Sequence, residues 1–314
     1  MSRRSRPVWV YALLSGLLTV LLLTLWLAGN GGDEAVRKPV AAPQAKAPAV
    51  VFEEAVPEVE VPVAPEEEAT PEQDSSPATS PEKHRGIALI LDDVGYDLPA
   101  LKRAIALKIP MAIAILPESP HAAEAAELAH KAGYTVMLHM PMEPGNPRYS
   151  KQMDNAFIRV GMNREDVRRK MHDALIRVPY VQGVNNHMGS RLTALEQPMR
   201  WVMEVCREQK LFFVDSRTNK DSVAASMAEQ AGLRWGQRQV FLDDSVEPDL
   251  LMKSWLKARK RLASSGMVIV IGHPHRETLD FLEHQVNASD REAMVQIGSL
   301  LSPMQHTLGH PSGG

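Results

Sequence analysis

The chain has 314 residues, a formal net charge of −3 and a single cysteine. Near-balanced charge, with no basic block beyond the extreme N-terminus, argues against nucleic acid as a partner. One cysteine rules out an intrachain disulfide, so any folded part must be held by its apolar core.

At the N-terminus, Arg3, Arg4 and Arg6 precede an uncharged apolar stretch from Val8 to Ala28. About 20 apolar residues span a bilayer, whereas the core of a signal peptide runs to about 7–15. Residues 1–30 are therefore expected to form a single-pass transmembrane anchor in the cytoplasmic membrane. Its arginines would stay in the cytoplasm and the remainder would be exported to the periplasm. Small residues at Leu27-Ala28-Gly29 offer the alternative of cleavage and release into the periplasm. Residues 31–84 are rich in Pro, Ala, Val and Glu. Prolines such as Pro39, Pro48, Pro57 and Pro65 forbid a continuous helix, and Glu66, Glu67 and Glu68 repel one another. Such a segment buries too little apolar surface to offset ordering, and the expectation is a disordered, extended linker.

From about residue 85 to 305 the texture changes to short apolar runs alternating with helical periodicity. Strands are expected at Ile87–Leu91, Met111–Leu116, Tyr134–Leu138, Val181–Val184, Leu211–Val214, Val240–Leu242 and Met267–Ile271. Helices are expected at Leu98–Leu107, Ala122–Ala132, Arg164–Arg177, Pro198–Gln209, Ser222–Ala231 and Pro248–Leu262. Asn163 ahead of Arg164-Glu165-Asp166 supplies a cap and an acidic first turn. Strands alternating with helices imply βαβ units and a parallel sheet, and the nearly all-apolar strands imply burial on both faces. Seven strands suit a TIM-like barrel, slightly short of the usual eight, preceded by the membrane helix and linker. A doubly wound open sheet is the second choice, weakened because no glycine-rich phosphate loop follows the first strand. Cys206, within Trp201-Val202-Met203-Glu204-Val205-Cys206, reads as a structural thiol on a buried helix face. Residues 306–314 are expected to be a disordered tail.

Five of the apolar runs end in residues able to bind a metal or move a proton. Asp92 and Asp93 follow the first run, and adjacent carboxylates at a strand end should point to different sides. One could then bind a metal while the other accepts a proton. His139 closes the third run, and Pro141 and Pro144 should make its continuation to Glu143 a tight loop. Asn185, Asn186, His187, Ser190 and Arg191 crowd the next, a loop suited to orienting a ligand or stabilising an oxyanion. Asp215 follows the fifth, with helix capping as the competing role. Gly272-His273-Pro274-His275 follows the last, and His273 could act as a general acid near neutral pH. In a barrel of parallel strands these ends converge on one mouth, so the pattern reads as a metal-assisted hydrolase.

Four segments carry a family resemblance: Ile90-Leu91-Asp92-Asp93-Val94-Gly95, Leu138-His139-Met140-Pro141-Met142-Glu143-Pro144, Gly183-Val184-Asn185-Asn186-His187-Met188-Gly189-Ser190 and Gly272-His273-Pro274-His275. Together they resemble the divergent polysaccharide deacetylase family of the NodB-type superfamily, over about Arg85 to Met304. The resemblance implies a distorted (β/α)7 barrel with a divalent metal, most simply zinc. By matching position, Asp92 is the general base, Asp93 and His139 are metal ligands, and His273 protonates the leaving amine. The superfamily's usual second metal histidine falls at Glu143 here. His187 is favoured as the third ligand for its imidazole nitrogen, with Glu143 as its substitute. Glu143, Asn186, Arg191 and Asp215 are otherwise expected to touch substrate or support the ligands. The implied partner is an N-acetylated cell-envelope polysaccharide such as peptidoglycan, from which acetyl would be removed. A non-catalytic glycan-binding or scaffold protein of the envelope is the alternative from another class.

Overall fold

The structure, a computed structural model, describes residues 85–151 and 155–302. The expected anchor, linker and C-terminal tail lie outside the described residues. Among the described residues, no helix is long and apolar enough to cross a membrane.

Eight strands form one sheet: β1 (Gly86–Val94), β2 (Ala112–Ile115), β3 (Thr135–Met142), β4 (Val181–Met188), β5 (Phe212–Asp215), β6 (Trp235–Gln237), β7 (Val240–Phe241) and β8 (Met267–Gly272). Their order is β6-β5-β4-β3-β2-β1-β8-β7, and every pairing is parallel. Each strand up to β6 lies beside its predecessor, so the order never reverses, as a doubly wound sheet requires. The last strands meet the first, with β8 against β1. The result is a curled α/β sheet consistent with a distorted TIM-like barrel. The seven-strand expectation missed β6, three residues containing a glycine and too short to show periodicity. It and β7 are consecutive: Arg238 N donates to Asp215 O in β5, and Gln239 N to Ile269 O in β8. One short stretch thus changes partner across the gap in the barrel.

Helices α1 (Leu98–Ala106), α2 (Ala122–Lys131), α3 (Arg164–Arg177), α4 (Glu196–Glu208), α5 (Ala224–Gln230), α6 (Pro248–Ser265), α7 (Arg276–His284) and α8 (Ala288–Ala293) complete the body. The expected cap is in place, with Asn163 accepting from Asp166 N. Asp97 caps α1 in the same way.

Two apolar clusters record the period of two. Ile87, Leu89 and Leu91 of β1 lie in the larger cluster with helix residues such as Leu101 and Trp255. Ala88 and Ile90 lie in the smaller one with Ala112, Ala114, Met137, Phe212, Val214, Ile269 and Ile271. The smaller cluster is the barrel interior. Ile297, Leu300 and Leu301 fill it from below, since Val295 N donates to Ile87 O and Ser302 N to Trp235 O. Small residues make the room: a Cβ at Gly236 would lie 2.7 Å from Ile269 Cδ1 and 3.2 Å from Leu301 Cδ2.

Two expected loops prove to be strand. β3 continues through His139 and Pro141 to Met142, and β4 runs to Met188, with His139 opposite Asn185 and Pro141 opposite His187. Parallel pairing satisfies both backbones for longer than the apolar runs suggest, and Pro141, lacking an N–H, still accepts from Ile158 N. β4 ends where Met188 (φ 51) and Gly189 (φ 93) enter the left-handed region. An added Cβ at Gly189 would approach Met142 Cβ to 2.8 Å. Gly189→Ala is expected to destabilise the fold by about 1–3 kcal/mol, combining left-handed strain with this backbone-anchored clash. Thermal unfolding of the variant checks this.

Candidate metal centre and its proton-transfer groups

Inward parity in each strand determines which side chains reach the barrel mouth. Asp92 continues the inward series Ala88-Ile90, His139 follows Met137, Ser216 follows Val214, and His273 follows Ile269-Ile271. On β4, Gly183 is inward, since a Cβ there would strike the Phe212 ring, so Asn185 and His187 are inward as well. By the same count Asn186 and Asp215 point outward, next to Val184 and Phe213 of the outer cluster.

Asp93 breaks the rule. By alternation it should face away from Asp92, as the sequence suggested. Instead its φ is 56°, and the β1–β2 register slips between Leu91 and Val94. This left-handed turn, tolerated better by aspartate than by most residues, brings both carboxylates into one pocket. His139 Nε2 lies 3.6 Å from Asp92 Oδ2 and 3.2 Å from Asp93 Oδ1.

His187 Nδ1 completes a triangle, 3.0 Å from Asp93 Oδ1 and 3.2 Å from His139 Nε2. Asp93 Oδ1 is buried and, among the described residues, is the side-chain atom that finds no well-directed hydrogen bond. Edges of this length match the separation of ligands around one ion bound at about 2.0–2.1 Å, where octahedral edges are about 3.0 Å and tetrahedral edges about 3.4 Å. Two imidazole nitrogens and a carboxylate oxygen suit zinc or a similar divalent ion. The residues present therefore fit a metal.

Burial raises the Asp92 carboxyl above its ordinary range, although charge on His139 and His273 and a hydrogen bond from Asn185 act against it. Burial presses on Asp93 too, but the charge of His187 and the contacts of both imidazoles hold it well below. Two adjacent acids are thus driven apart, one toward proton acceptor and the other toward permanent anion.

His273 leaves the mouth beside Asp92, because Leu91 pairs with Gly272. Its Nδ1 lies 2.9 Å from Asp243 Oδ1, while Asp243 Oδ2 accepts from His273 N and Thr278 Oγ1. Burial opposes charge on His273, but the Asp243 carboxylate outweighs it and lifts the imidazole to about 9. Phe241 stacks on the same ring, and the Arg238 guanidinium lies 4.0 Å over Phe241. Arg238 donates to the carbonyls of Ser216 and Arg217, and burial lowers it to about 10. Arg238 was not singled out from sequence, and Asp243, closing its apolar run with Asp244, read equally as a site residue or a helix cap. The available signal was parity, which puts Asp243 on the inward face with Phe241.

The remaining expected site residues lie elsewhere. Glu143 is not the substitute ligand: Oε1 pairs with Arg191 Nη1 at 2.7 Å, and Oε2 accepts from Val160 N at 2.7 Å. Arg191 is thereby tied to the loop after β3. Asn186 accepts from Ser216 N and donates to Met188 O, fastening β4 to the β5 loop. Asp215 accepts from Arg217 N and Ser222 Oγ, which closes the turn after β5; the helix that follows takes no side-chain cap. Cys206 is fully buried, and burial pushes its thiol up to about 12, which leaves it unreactive.

Residues 89–301 match the divergent polysaccharide deacetylase family. The chain belongs to that family. It is 34% identical over 229 residues to the uncharacterized protein YibQ of Escherichia coli K12, covering 72% of this chain and 70% of that protein. To an uncharacterized protein of Haemophilus influenzae Rd it is 33% identical over 215 residues, covering 68% of this chain and 76% of that one. Among solved structures, an uncharacterized protein from Agrobacterium tumefaciens C58 shares the fold with a TM-score of 0.64 at 17% identity, covering 71% of this chain and 92% of that one.

The His273–Asp243 pair makes a pH prediction. A histidine raised from 6.5 to about 9 adds stability that is complete below the lower value and lost as pH rises through the upper. In NMR titration of the metal-free protein, the His273 ring should change charge near pH 9. Asp243→Asn should move that midpoint down, because only the charges of Asp93 and Asp92 would then oppose burial. A midpoint unmoved by the substitution would remove Asp243 from this role.

Proposed function

We propose that this chain is a membrane-tethered, metal-dependent hydrolase that removes acetyl groups from an N-acetylated polysaccharide of the cell envelope. The observation that carries the reading is the buried, unsatisfied Asp93 Oδ1, held between imidazole nitrogens of His139 and His187 and adjoining a second carboxylate on Asp92. Membership of the divergent polysaccharide deacetylase family supports the reaction class.

Asp93, His139 and His187 would hold the ion. When bound, a divalent ion supplies Lewis acidity toward the acetyl carbonyl and lowers the pKa of water. Asp92, buried and raised, accepts the proton of the attacking water. His273, kept protonated by Asp243, gives its proton to the departing amine nitrogen. Phe241 and Asp243 restrain the His273 ring, so the proton is offered from a defined position. The N-terminal segment would anchor the protein in the cytoplasmic membrane, and the proline-rich linker would let the barrel reach a wall polymer in the periplasm.

The test is metal analysis of the full-length chain purified in detergent, followed by acetate release from chitooligosaccharide and peptidoglycan fragments. Close to one equivalent of zinc is expected, lost in Asp93→Ala and His139→Ala. Asp92→Asn should keep the metal and lose acetate release by about 10²-fold or more, the usual scale for a general base. A chain that binds glycan without metal and releases no acetate would instead be the scaffold protein.

A further inference from the structure

Asn185 is fully buried, and its side-chain amide lies between the two halves of the candidate site. Its Nδ2 donates to both oxygens of Asp92, at 2.9 and 3.1 Å, and approaches Ser216 Oγ at 3.3 Å. Its Oδ1 lies 2.9 Å from His139 Nδ1. The two ends of an amide are not interchangeable: one only donates and the other only accepts. An ionised Asp92 can only accept, so the NH2 group must face it. The carbonyl oxygen must then face His139, whose Nδ1 must carry a hydrogen to meet it.

In a neutral imidazole, a hydrogen on Nδ1 leaves Nε2 bare. Nε2 is the atom directed at Asp93 Oδ1 and His187 Nδ1. We infer that Asn185 is the positioning residue of this centre: one amide selects the ligating tautomer of His139 and at the same time holds the Asp92 carboxylate aimed beside the metal position. Register makes this possible, because Asn185 sits directly opposite His139 in the β3–β4 pair and opposite Val214 in β5, one residue before Asp215-Ser216. A carboxylate at this position would accept from His139 equally well, but it would repel Asp92 or share a proton with it. The amide serves both neighbours without adding charge.

The inference rests on the hydrolase reading above for its Asp92 half, and on metal binding alone for its His139 half. Two substitutions separate the halves. Asn185→Asp keeps an acceptor for His139 Nδ1 and removes the donor to Asp92. Asn185→Ala removes both. Zinc affinity would be measured by chelator competition on the full-length chain, acetate release as kcat and KM, and folding by thermal melting of each metal-free variant. Asn185→Ala should weaken zinc binding about 10–100-fold, the usual consequence of removing the partner of a ligating histidine. Asn185→Asp should bind zinc within a few-fold of the unmodified protein yet lose kcat with little change in KM. Rescue of zinc affinity by Asp but not Ala would not arise from a general loss of structure, which would lower melting and affinity in both. Undiminished zinc binding in Asn185→Ala would overturn the tautomer role, and full kcat in Asn185→Asp would overturn the Asp92 role. An unmodified chain that binds zinc but releases no acetate would sink the deacetylase reading while leaving the affinity comparison decisive.

Discussion

A strand can send only every second side chain into a barrel, and the candidate site depends on how β1, β3, β4, β5 and β8 obey that limit and one residue evades it. Asp92, His139, Asn185, His187, Ser216 and His273 all continue inward series begun by small or apolar residues lower in their strands. Asp93 would fall outside, among the helices, but for a left-handed backbone turn and a register slip in β1. A non-glycine residue held there costs about 1–3 kcal/mol, and such strain persists where the surrounding structure over-determines it. Here β8 pairs with β1 up to Leu91 and β2 pairs again at Val94, so paired residues bracket the turn.

The same crowding creates an electrostatic problem. Asp92, Asp215 and Asp243 are each almost wholly buried, and Asp93 Oδ1 is buried too. Burying a charge without partners is costly, so each needs a compensating group. Asp243 has three hydrogen-bond donors, Asp215 has two and Asp92 has the Asn185 amide. Asp93 Oδ1 is left with ring nitrogens alone, and a cation is the simplest group to satisfy all three atoms. The metal reading and the burial of charge are therefore linked: the carboxylate that two imidazoles hold as an anion is also the one whose buried oxygen lacks a well-directed hydrogen bond.

Arg238 and Phe241 extend this to the gap in the barrel. The segment from β6 to β7 changes partner from β5 to β8, and its two side chains stack toward His273 while the guanidinium holds the carbonyls of Ser216 and Arg217. A break in the hydrogen-bonded sheet is thus filled by a cation, an aromatic ring and an imidazole, which join the β5 loop to the end of β8.

Much of this was legible in the sequence. Apolar runs bounded by turn residues located seven of the eight strands, because buried parallel strands must be apolar on both faces. Polar residues closing those runs, in the order carried by Asp92-Asp93, His139 and His273, pointed to the family before any contact was known. The inward or outward direction of Asn186 and Asp215 was also present, as parity counted from Val184 and Phe213. Other features needed the third dimension. Glu143 stood as the substitute for His187 until Arg191 and Val160 were seen to occupy its oxygens. Asp243 lies 30 residues before His273, and only the pairing of β7 with β8 brings them together. The direction of Asp93 follows from a single backbone angle that no residue pattern specifies. Local composition determines which segments become strands, since burial acts on each run separately. Which side chains meet is decided by register and twist, which depend on every strand at once.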